Sequence, residues 1–88
     1  VMGVASGWGF TKNGGTAEQP AEIRYSKGNE RIRGTLTWGT SGGASGNVTV
    51  AAWSYTADHT AGTPVFDAIG TETISYDADA NVVSTVWS

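Results

Sequence analysis

The clearest pattern along the chain is the alternation of apolar and polar residues between Glu30 and Trp38. Ile32, Gly34, Leu36 and Trp38 fall on one side, and Arg31, Arg33, Thr35 and Thr37 on the other. Successive side chains of a strand point to opposite faces, so this stretch predicts a strand with one apolar and one wet face. A glycine-serine loop, Gly39 to Gly46, leads to a second strand that is apolar on both faces. Val48, Val50 and Ala52 lie on one, and Ala51, Trp53 and Tyr55 on the other. A strand of that kind is central in a sheet, or faces another sheet or subunit. The same grammar returns near the end: Thr35-Leu36-Thr37-Trp38, Asn47-Val48 and Trp53-Ser54 are echoed by Thr73-Ile74-Ser75-Tyr76, Asn81-Val82 and Trp87-Ser88. The second copy has the shorter turn, Asp77-Ala78-Asp79-Ala80.

Around these two hairpins the rest of the chain reads as follows. Val1 to Gln19 is glycine-rich and carries Trp8 and Phe10, which suggests an extended arm with Trp8 as an anchor. Trp8 either folds back onto its own sheet or lies on a neighbouring subunit. Pro20, which cannot donate to a ladder, suits the start of a strand in which Ala21, Ile23 and Tyr25 oppose Glu22, Arg24 and Ser26. Lys27-Gly28-Asn29 is a tight turn, so Glu22 and Arg24 can sit across from Arg31 and Arg33. Thr56 to Pro64 is a loop, and Gly70 marks a plausible bulge in the strand after it. The expectation is an all-β fold: a small antiparallel β-meander or sandwich with strands over 20–26, 30–38, 47–56, 65–76 and 81–87. An extended N-terminal arm (1–19) precedes a single β domain (20–88). Trp38, Trp53, Tyr76 and Trp87 are its heaviest core candidates.

Composition supports the class and sharpens the question of stability. One leucine stands against eight valines, four isoleucines and twelve threonines, and β-branched residues suit pleated sheets. No apolar run approaches the ~20 residues of a membrane span. In 88 residues there is no cysteine, so neither a disulfide nor a Cys/His zinc site can staple a core this small. Small domains without staples often gain stability by assembling. Charge is divided along the chain. Residues 1–33 hold all five cations and three acids, whereas residues 34–88 hold five acids and no cation. That split suits a head-to-tail contact between copies, or simply two unlike faces of one domain. An acidic total argues against nucleic acid as a partner.

Candidate chemistry is sparse. His59 beside Asp58 lacks an identifiable nucleophile or metal set and reads as loop surface. The glycine loop could hold an anion on its amides. It matches neither a P-loop nor a nucleophile elbow, and reads as a flexible connection. Asp77, Asp79 and Asn81 match the first three ligand positions of a calcium loop. Val82 and Ser88 stand where that loop needs glycine and glutamate, and a hairpin turn is the commoner use of such residues. No catalytic residue, metal or cofactor is assigned, and the chain reads as non-enzymatic. Trp8, Phe10, Arg24, Arg31 and Arg33 are the candidate assembly or docking residues. A carbohydrate-binding module is the alternative, with Trp8 and Trp53 free to stack on sugar rings.

The run Ala17 to Gly39, then Gly46-Asn-Val-Thr49, Ile69 to Asp77 and Asn81-Val82, resembles small β-rich virion-associated or tail-fibre-like structural proteins of tailed bacteriophages. The likeness is one of sequence style and covers most of the chain from Ala17 onward. It implies an oligomeric particle component located in the virion, with copies of itself, other virion proteins or a surface glycan as partners. It carries over no catalytic residues.

Overall fold

The computed structural model describes residues 8–88. Six antiparallel strands form one sheet in chain order: β1 (Gly9–Asn13), β2 (Glu22–Lys27), β3 (Glu30–Trp38), β4 (Val48–Thr56), β5 (Asp67–Tyr76) and β6 (Val82–Trp87). The only helical turn among the described residues is a short 3-10 segment, Gly42–Ala44. The all-β class therefore holds, as a meander. Among the described residues every strand pairs within that one sheet, each with its neighbour in chain order.

The residues 9–13 are the main departure from the sequence reading. They are a strand of the sheet, paired with β2 from Gly9↔Ser26 to Asn13↔Glu22, and not part of an extended arm. Alternation is present in this stretch but glycines hide it: Phe10 and Lys12 face one way, Gly9, Thr11 and Asn13 the other. The part of the expected arm over residues 1–7 lies outside the described residues.

Turn chemistry sets the register. Gly28 takes φ 59 at the first of the two turn residues between Lys27 and Glu30, where a tight hairpin turn calls for a left-handed residue. Opposite Gly70 the ladder slips, Trp53↔Gly70 being followed by Ser54↔Ala68, so Ile69 is the extra residue of a bulge at the expected place. The glycine loop closes on itself. Gly39 N donates to Asn47 O at 2.8 Å, Gly46 N to Gly39 O at 3.0 Å and Asn47 N to Ala44 O at 2.9 Å. Those three amides are committed to the loop's own carbonyls.

Cross-strand partners share a face, so the register defines two surfaces. One is apolar. Phe10, Tyr25, Ile32 and Tyr55 stand opposite one another across β1–β4, beside a row of Ile23, Gly34, Trp53 and Gly70 and a row of Leu36, Ala51, Glu72 and Trp87. The other face carries Arg24, Arg31, Arg33 and the threonines of β3 and β5. Among the described residues only Pro20, Gly34, Ala51 and Thr56 are buried, and no large side chain is fully enclosed. Domains usually bury a sheet face against a second layer, and this sheet has none among the described residues. The expected core is therefore incomplete. Trp38, Trp53 and Tyr76 are half-buried, and Trp87 is 60% exposed.

Candidate interaction surfaces

The apolar face is held by tryptophan and tyrosine anchors. The Trp53 ring lies on Gly34 so closely that a Cβ there would meet its Cζ3 at 2.7 Å. Glycine at this position gives the ring a bed, and the ring covers a backbone that would otherwise be bare. Trp53 Nε1 is buried without a hydrogen-bond partner. Tyr55 donates its hydroxyl to Glu30 Oε1 at 2.7 Å, and this bond raises the Tyr55 pKa because it favours the protonated phenol. Phe10 packs on Tyr25 with ring centroids 5.3 Å apart. Phe10, expected as a docking residue, thus has a partner on its own sheet. Trp8, half-buried, stands just before β1. Of the two glycan candidates, Trp53 has one ring face against Gly34.

The lateral edges differ. Among the described residues neither the outer edge of β1 nor that of β6 is paired. β1 carries Lys12, a common guard of an open edge. β6 reads Val82-Val-Ser-Thr-Val-Trp87: no charge, no proline, no glycine, and every residue exposed. Val82 and Val86 are each 58% exposed and Val83 is 61% exposed. Such a strand is a template for pairing with another chain. Charge also runs across the sheet. The β1–β3 side holds every cation, and the β4–β6 side holds Asp58, Asp67, Glu72, Asp77 and Asp79 without a cation.

The polar face contains a recess of about 400 Å³ lined by Arg24, Arg31, Arg33, His59, Pro64 and Phe66. Arg24 and Arg33 stand directly opposite each other on β2 and β3, and Arg31 opposite Ser26. The Glu22 carboxylate sits between the first two, in contact with Arg24 Nε and 3.6 Å from Arg33 Nε, too far for a hydrogen bond. Arg31 Nε donates to Ser26 Oγ at 2.9 Å. The Arg33 guanidinium stacks over the Phe66 ring, 3.9 Å from its centroid, a cation–π contact. The loop after β4 reaches this face through His59, whose N donates to Asn29 O at 2.7 Å and whose Nε2 lies 3.0 Å from Gly28 O.

The three docking arginines are thus brought together, while Trp8 and Phe10 belong to the far side of β2. Pro64 and Phe66 were not singled out in the sequence. Phe66 falls just outside β5 rather than in it, and nothing local in Thr63-Pro-Val-Phe66 says that the loop turns back over the arginines. Asp58 is turned towards Thr60, whose hydroxyl and then N–H hold its carboxyl below the usual value, so it does not orient His59. Asp77 Oδ1 accepts from Asp79 N at 2.9 Å and Asn81 N at 3.0 Å, which is turn capping and not a ligand arrangement. No group of three metal-binding side chains occurs among the described residues, and no helix among them is long and apolar enough to cross a membrane. Comparison with protein-family models, with curated proteins and with solved structures finds no match.

Proposed function

We propose that the chain is a non-enzymatic structural module that works by associating with copies of itself, each β6 edge receiving β1 of the next copy. The observation that carries this reading is the uncharged β6 strand, whose outer edge is unpaired among the described residues, at the border of a sheet with no second layer among them. The charge gradient favours β1 as the occupant. A β6-to-β6 contact would bring two acidic sides together, whereas β6-to-β1 sets an acidic side against a basic one. The contact is head-to-tail, so copies close into a ring or grow as a filament. Following the sequence resemblance, the assembly is a component of a bacteriophage particle, as tail fibre, decoration or other virion part, located in the virion.

Molar mass by light scattering over a concentration series tests the association. The expected result is a multimer whose mass falls at high salt. The double variant Val83→Lys and Val86→Lys should yield single chains with unchanged circular dichroism, since both side chains are exposed. A wild-type chain that remains a monomer at every concentration and salt would sink the reading. Immunogold labelling of purified particles tests the virion placement. The carbohydrate-binding alternative draws on one observation, the exposed Trp87 ring. It predicts glycan binding by a monomer that Trp87→Ala abolishes.

A further inference from the structure

The geometry points to a second site on the opposite face: the arginine recess binds an organic carboxylate. Arg24 and Arg33 face each other directly, and like charges so placed repel unless something neutralises them. Glu22 is the one carboxylate set between them, so three guanidiniums and one carboxylate leave a net charge of about +2 in the recess at neutral pH. Among the described residues, every hydrogen bond or ion pair of these arginines runs through Nε. Their terminal amino groups remain available, and a guanidinium fork matches a planar oxyanion by two parallel hydrogen bonds. Arg33 Nε is itself buried without a hydrogen bond. The Phe66 ring beneath it holds the guanidinium over this face by a cation–π contact.

The lining also selects the ligand class. Pro64 and Phe66 give the recess an apolar wall, which an inorganic ion would leave unused. The net charge of about +2 draws a dianion more strongly than a monoanion, so the preference for an organic carboxylate over a phosphate rests on that apolar wall and on the planar match to the guanidinium forks. The volume is at the lower end of the ~300–1,000 Å³ range of small-molecule sites and suits a body of about one ring. The carboxylate can be carried by an acidic sugar or small acid, or by Asp79 of a second copy, which is exposed at the β5–β6 turn.

Nitrogen-15 NMR of the arginine Nε–H groups, titrated with sodium glucuronate at constant ionic strength, tests the site on the intact chain. Saturable shifts at Arg24, Arg31 and Arg33 are expected, and inorganic phosphate, which gains from charge but cannot use the Pro64 and Phe66 wall, should bind no more tightly than glucuronate. Arg31→Gln should weaken glucuronate about tenfold or more. Glu22→Gln should tighten it about threefold, a gain that a purely structural ion pair would not produce. Each variant's amide spectrum reports whether it folds. No saturable shift, tighter binding of phosphate, or weakening by Glu22→Gln would overturn the proposal. Asp79→Asn separates the sources. If it lowers molar mass and glucuronate does the same to wild type, the ligand is a neighbouring copy. If mass is unaffected, the site serves a free acid. Because the recess and the β6 edge are on different parts of the sheet, Val83→Lys with Val86→Lys should leave glucuronate binding intact.

Discussion

The β3–β4 and β5–β6 hairpins follow one plan with different outcomes. Their ladders slip at matching places, between Thr37 and Trp38 in one and Ser75 and Tyr76 in the other, so that Trp38↔Val48 matches Tyr76↔Val82. The aromatic at the end of each first strand donates to a backbone carbonyl at the near end of the preceding neighbour: Trp38 Nε1 to Pro20 O, just before β2, at 2.9 Å, and Tyr76 hydroxyl to Val48 O, the first residue of β4, at 2.7 Å. Both turns close with the same pair of bonds. Gly39 N to Asn47 O and Gly46 N to Gly39 O correspond to Asp77 N to Asn81 O and Ala80 N to Asp77 O. Yet among the described residues β4 is paired on both edges, and β6 on one. Trp53 faces Gly34 and lies down on it; Trp87 faces Glu72 and is 60% exposed, its ring 3.6 Å from where a Cβ on Gly70 would stand. The local code for a hairpin is therefore the same in both. What differs is the supply of neighbours, which a local code does not contain.

The two tryptophans should respond unequally to a valine placed beneath each of them. Gly34→Val drives a side chain into the Trp53 ring, and overpacking of that kind costs about 1–3 kcal/mol. Glu72→Val, at the matching place under Trp87, should stay within about 0.5 kcal/mol, because the exposed ring can move. Urea unfolding followed by tryptophan fluorescence measures both. Equal losses would mean that Trp53 is no more anchored than Trp87.

A smaller effect sharpens the likeness of the turns. Gly46 at φ 78 and Ala80 at φ 65 occupy the same left-handed position just before Asn47 and Asn81. Left-handed backbone strains alanine, not glycine, by about 1–2 kcal/mol, set against glycine's larger entropy loss of about 0.5–1 kcal/mol. Ala80→Gly should accordingly stabilise by about 0.5 kcal/mol and Gly46→Ala destabilise by about as much. A Cβ on Gly46 has room, its nearest neighbour being Gln19 Nε2 at 3.9 Å, so the second change reports backbone strain alone. Thermal unfolding that moves the same way for both variants would show that the turns are not equivalent.

These particulars explain what could be read before the structure. The β3 alternation, the tight turn at Gly28, the bulge at Gly70 and the hairpin echo are local and show in residue order. β1 was missed because glycines at 9, 14 and 15 dilute its alternation, and a strand so short is made by its partner β2. A core was expected because apolar alternation implies a covered face, but it does not say which chain supplies the cover. The three arginines were visible as one strand face. Their partner Phe66 was not, since only the path of a loop between β4 and β5 brings it there.

The smallest effect concerns acid, and it separates the hairpins again. The turn of β5–β6 hangs on the Asp77 carboxylate, whose pKa is held below the ordinary 3.8, chiefly by the Asn81 N–H and further by the Asp79 N–H. The loop of β3–β4, Gly39 to Gly46, contains no carboxylate and closes through backbone bonds. A carboxyl with a lowered folded pKa binds its proton less tightly folded than unfolded. Its contribution is complete above the unfolded value and is lost as pH falls through the folded value. Between about pH 5 and pH 3, then, hydrogen-exchange protection should fall in β6 before it falls in β4. Asp77→Asn keeps a side-chain oxygen for the same amides but removes the titration, so this variant should lose the acid-dependent gap while retaining the turn. If the gap persists in Asp77→Asn, the acid sensitivity of β6 comes from its open edge and not from its turn.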